Sequence, residues 1–83
     1  MSDFFRYEIL RTEDVYGSKE TFRMELHKSL SLPQKGTIEL FLKDKTGAWV
    51  RKGDLIDVDP SDPERAMATG AAMAPTYLGW ANK

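Results

Sequence analysis

The chain has no cysteine. That excludes disulfides, thiol nucleophiles, thiolate-held zinc and iron–sulfur clusters. It has one histidine, His27, which cannot supply a two-histidine metal site by itself. An excess of one charge is also missing. Twelve Lys and Arg stand against 13 Asp and Glu, for a net charge of −1. Duplex-binding domains normally carry a basic excess, so the balance argues against nucleic acid as the main partner. No apolar run approaches the ~20 residues that span a bilayer. The opening residues, Met1-Ser2-Asp3-Phe4-Phe5-Arg6, lack the basic start and apolar core of a secretion signal. The expectation is a cytoplasmic chain without a membrane partner. At 83 residues it should form a single domain, 1–83, around one thin core.

What is present divides the chain in two. Residues 1–59 hold ten Val, Ile and Thr; six of the seven alanines follow Arg65. Branched side chains suit a pleated surface and alanine suits a helix. The predicted layout is a β-rich body over 1–59, a helix within 60–75 and an aromatic tail over 76–83. The fold class that follows is α+β: an antiparallel sheet, or a partly open small barrel, of four to five strands with one C-terminal helix packed on it.

Period-two alternation marks the strands. Phe4 to Thr12 reads as the first, with Phe5, Tyr7 and Ile9 inward. A turn at Gly17-Ser18 would set Ile9 against Leu26 and Phe5 against Leu30. Thr21 to Lys28 follows, with Phe22, Met24 and Leu26 on one side and Arg23, Glu25 and His27 on the other. A helix is the rival reading of residues 19–30, with Phe22, Leu26 and Leu30 as its stripe; the alternation favours the strand. Pro33 to Gly36 forms a turn. Thr37 to Lys43 carries Ile38, Leu40 and Leu42 inward. Asp44 to Gly47 forms a hairpin loop, and Ala48-Trp49-Val50 leaves it. Lys52-Gly53-Asp54 turns again into Leu55 to Val58, which brings Val50 and Ile56 into the core.

Asp62 before Pro63 is a helix start, with an N-cap carboxylate and proline at the first position. The helix should run to about Met73 or Ala74 and stop at Pro75.

The search for chemistry finds little. The serines at 2, 18, 29, 31 and 61 have only His27 as a histidine base, and none stands in a nucleophile elbow. His27 on an outward strand face reads as a solvated side chain. Phosphate-binding glycine motifs are missing. Asp54, Asp57, Asp59, Asp62 and Glu64 lack the central glycine and spacing of a calcium loop. Asp57 reads as a strand residue facing solvent, and Asp62 as a cap. Glu8, Glu25 and Glu39, with Arg6, Arg23, Lys28 and Lys43, look like the wet side of an amphipathic sheet. The expectation is a protein that is not an enzyme and needs no cofactor or metal.

Three surfaces remain. The tail residues Tyr77, Leu78 and Trp80 either fold back on the core or anchor a partner. The small-residue stripe Ala66, Gly70 and Ala74 either packs on the sheet or pairs helices in a homo-oligomer. Arg6, Arg23, Lys43, Arg51 and Lys52 near Trp49 form the third, an aromatic and cationic face suited to single-stranded nucleic acid. The expected function is a non-catalytic protein-binding module: an accessory subunit, or an inhibitor of the phage or mobile-element type, acting on a larger protein. The alternative is a single-stranded nucleic-acid-binding sheet.

Overall fold

A computed structural model describes residues 7–17 and 19–80. Its elements are β1 (Tyr7–Tyr16), β2 (Thr21–Ser29), β3 (Gly36–Lys43), β4 (Trp49–Arg51), β5 (Ile56–Val58) and α1 (Pro63–Tyr77). All pairing is antiparallel, in the order β1-β2-β3-β4. β5 also pairs with β3, at its start, whereas β4 pairs with its end. The last two strands therefore act as one interrupted fourth strand. Residues 19–30 follow the strand reading, and the sheet is open rather than closed into a barrel. The helix lies across one face.

The helix side is built by alternation. Phe22, Met24 and Leu26 from β2, Ile38 and Leu40 from β3 and Ile56 from β5 are at most 2% exposed. Each such side chain removed from water contributes about 1.5–3 kcal/mol. From the helix, Ala66, Met67, Gly70 and Ala74 face this layer. A β-carbon on Gly70 would run into the Ile38 Cδ1 methyl and lie 3.3 Å from Met24 Sδ. Glycine here lets the helix backbone sit closer to the sheet than alanine would allow.

β1 departs from the expected register. Its hairpin closes one residue later than predicted, with the Gly17 amide donating to the Glu20 carbonyl. The strand accordingly runs on to Tyr16, well past Thr12. Val15 pairs with Phe22 and Arg11 with Leu26, but Ile9 pairs with His27. The extra residue between Ile9 and Arg11 is Leu10, a β-bulge. A one-residue slip reverses the facing of every side chain beyond it. Tyr7 and Ile9, expected inside, therefore share a face with His27, and each is about half exposed. Leu10 and Val15 take their places against the core. Val50 is also more open than expected, at 40% exposure. The expected strand start at Phe4 and the Phe5–Leu30 pair lie outside the described residues.

The helix starts as predicted. Asp62 caps it, accepting from the Arg65 amide at 3.3 Å, and Pro63 opens it. Its end is different. Pro75 lies inside the last turn, where it removes the bond that the Ala71 carbonyl would accept but does not end the helix. Termination comes at Gly79, with φ of +78°. The Gly79 amide donates to Thr76 O at 3.1 Å, and the Trp80 amide to Pro75 O at 2.7 Å. This pair of bonds is a Schellman motif, which needs a left-handed residue at the Gly79 position. Among the described residues, no helix is long and apolar enough to cross a membrane.

Candidate functional site

Because α1 covers one face, the opposite face of the sheet is open, and strand register arranges it in rows. Across it run Ile9–His27–Thr37–Asp57, then Thr12–Glu25–Glu39, then Asp14–Arg23–Phe41–Arg51, with Lys43–Trp49 at the far corner. Tyr7 opposite Ser29 closes the near end.

The row through Arg23 is an ion-paired aromatic corner. Arg23 donates to both oxygens of Asp14, at 2.7 and 3.1 Å. The bonds from Arg23 hold the Asp14 carboxyl below the usual Asp value and raise the guanidinium above its own. The Arg23 guanidinium also lies 4.4 Å from the Trp49 ring centroid, and Lys43 Nζ lies 5.2 Å from it. Both are cation–π distances.

The central rows hold a tighter cluster. Glu25 and Glu39 stand directly opposite each other on β2 and β3. His27, two residues along from Glu25, shares their face. Its Nε2 lies 3.0 Å from Glu25 Oε1 and 3.8 Å from Glu39 Oε1. The other Glu39 oxygen faces Arg51 Nε at 3.4 Å. Tyr7 stacks on the imidazole, with ring centroids 4.2 Å apart and planes 18° from parallel. His27 is consequently 4% exposed. The expectation of a solvated histidine is overturned. It does lie on the face away from the helix, but the tyrosine that the bulge turns outward covers it. A concavity of about 620 Å³ opens beside it, lined by Tyr7, His27, Lys35, Thr37, Asp57 and Asp59 among others.

The sequence-predicted residues separate cleanly. Arg23, Lys43, Trp49 and Arg51 share the open face. Lys52 lies on the adjoining turn, its amide bonded to Leu40 O at 2.8 Å. Arg6 lies outside the described residues. Glu8 and Lys28, expected on the wet face, pair at 3.6 Å on the helix side of the alternation. Ala66, Gly70 and Ala74 are buried against the chain's own sheet. That burial removes the stripe as a ridge for pairing helices in a homo-oligomer. Tyr77, Leu78 and Trp80 fold back and pack on the core. Asp59 accepts from the Ser61 amide at 2.9 Å, a local turn bond that lowers its carboxyl below the usual value. Asp57 is exposed and Asp62 caps the helix, as expected of each.

The residues missed from sequence are Tyr7 and the Glu25–His27–Glu39 cluster. Glu-x-His on one strand face was visible in the sequence, but Glu39 joins it only through the β2–β3 register. Comparisons with family models, with curated proteins and with solved structures find no match to this chain.

Proposed function

We propose that the protein is a non-catalytic module that binds a larger protein, as an accessory subunit or an inhibitor, through its open sheet face. One observation carries the reading. The face that the helix leaves open bears apolar groups partly out of contact with the core: Tyr7 at 51% and Ile9 at 50% exposure, with half-buried Phe41 and Trp49 across the sheet. Aromatic residues with arginine beside them are the side chains most often central to protein interfaces. Here Arg23 and Arg51 already have carboxylate partners within the chain, at 2.7 and 3.4 Å, so a partner need not neutralise them.

The test is retention of a partner from the native source by the immobilised protein. The double variant Tyr7→Ala/Trp49→Ala should keep its circular-dichroism spectrum and lose that partner. Ala72→Glu, on the exposed side of α1, should retain it. Retention by the double variant would overturn the proposal.

The gathering of Arg23, Phe41, Lys43, Trp49 and Arg51 at one corner favours a second reading, binding of single-stranded nucleic acid by stacking. Glu25 and Glu39 beside that corner oppose it, because they repel phosphates. This reading requires oligonucleotide affinity that falls steeply with salt. No binding at low salt would end it.

A further inference from the structure

We propose that Glu25, His27 and Glu39 form a binding site for a divalent first-row transition ion, represented by Zn²⁺, with His27 Nε2 and one oxygen of each carboxylate as ligands. The site goes beyond the protein-binding reading and does not depend on it.

The geometry comes from the sheet. Glu25 and His27 are two residues apart on one strand and share a face, and Glu39 is the direct cross-strand partner of Glu25. The three ligand atoms all lie within 4.8 Å of one another. Ligand atoms around a zinc ion at its usual bond lengths stand about 3–3.5 Å apart. The imidazole and Glu25 are already at 3.0 Å; Glu39 Oε1, 3.8 Å from Nε2, would close in on the ion by side-chain rotation.

The cluster is held in place. Tyr7 fixes the plane of the imidazole by stacking at 4.2 Å. Arg51 engages the other oxygen of Glu39, leaving Oε1 turned toward His27. Supporting contacts of this kind orient metal ligands.

The cluster sets two facing carboxylates against one imidazole and one guanidinium. Like charges directly opposite across two strands destabilise a sheet. His27 Nε2 stands 3.0 Å from Glu25 but 3.8 Å from Glu39, and to ligate an ion it gives up any proton it shares with Glu25. Arg51 is a single cation, and its side chain is 58% exposed. A divalent ion among the three would neutralise both carboxylates and tie β2 to β3. One imidazole nitrogen with two carboxylate oxygens suits zinc or its neighbours better than magnesium or calcium, which take all-oxygen sites. Three protein ligands leave a further coordination position free.

The composition makes the test clean. His27 is the only histidine and there is no cysteine, so a tag-free chain offers zinc no other imidazole and no thiolate. Zn²⁺ titrated calorimetrically into the wild type should bind at one equivalent and raise the unfolding temperature. Co²⁺ should give visible d–d absorption. His27→Gln should abolish that absorption and weaken Zn²⁺ binding about 10-fold or more. If His27→Gln does not fold, Glu39→Gln keeps the imidazole and should show the same weakening. Lack of saturable Zn²⁺ binding by the wild type would overturn the proposal. So would equal affinity in the folded variants, because the ion would then be held by scattered surface carboxylates. A failed zinc titration leaves the partner-retention experiment untouched, since the isolated chain contains no partner.

Discussion

Trp80 meets Phe22 edge to face, with ring centroids 5.9 Å apart and planes at 75°. Its indole also lies over Gly17, where an added β-carbon would stand 2.6 Å from the ring. Trp80, three residues beyond the helix, thus closes over the β1–β2 hairpin, so the tail and the start of the sheet are one packing unit.

Trp80→Ala should therefore act on stability first. A fully enclosed aromatic truncated to alanine costs about 3–5 kcal/mol. Trp80 is only partly buried, so about 2 kcal/mol is expected, lowering the melting temperature by roughly 10 °C for a domain of this size. Thermal unfolding by circular dichroism measures it. A variant that melts like the wild type would mean that the indole adds nothing to the core.

Two glycines should respond to alanine for different reasons. At Gly70, helix propensity favours alanine by about 1 kcal/mol. The added methyl, however, would collide with Ile38, which is 0% exposed and has nowhere to move. Overpacking of this kind costs about 1–3 kcal/mol, so Gly70→Ala should be net destabilising. At Gly79 nothing lies within 4 Å and the whole penalty is conformational, from φ of +78°. Gly79→Ala should cost about 1 kcal/mol. Urea denaturation decides both; a Gly70→Ala protein more stable than wild type would mean that the helix can move away from the sheet.

Acid should weaken the fold in a defined window. Asp14, Asp44 and Asp59 all have carboxyls held below the usual Asp value. Asp14 owes this to Arg23. Asp44 owes it first to the Thr46 hydroxyl and then to the Ala48 and Thr46 amides, and Asp59 to Ser61. A carboxyl depressed in the folded state binds protons more readily when unfolded. Its stabilisation is complete above the ordinary Asp value of about 3.9 and is lost as pH falls through the folded value. The urea midpoint should decline below about pH 4. Asp44→Asn removes one contributor and should make that decline shallower; an unchanged slope would count against the Asp44 turn as a source.

Much of the fold was legible because it depends on local pattern. The alternation of Phe22, Met24 and Leu26, and of Ile38 and Leu40, identifies the covered side of β2 and β3 whatever packs on it. Asp62-Pro63 signals a helix start through its own backbone chemistry. The errors arose where a local signal had a non-local competitor. Pro75 reads as a stop, yet a proline three residues before the cap disturbs only the last turn, and Gly79 sets the end. Tyr7 and Ile9 read as inward until the bulge at Leu10 reverses them.

The candidate site follows the same division. Composition alone excluded thiol and disulfide chemistry, and the even charge balance argued against a basic binding face. Periodicity marked the antiparallel sheet, since side-chain alternation depends only on the pleat, and the alanine content with the Asp62-Pro63 start marked the C-terminal helix. Which residues meet across the strands was decided by tertiary structure. One bulged residue in β1 determines that Tyr7 covers His27, and the β2–β3 register determines that Glu39 stands against Glu25. Register is a property of two strands at once, and no single segment encodes it.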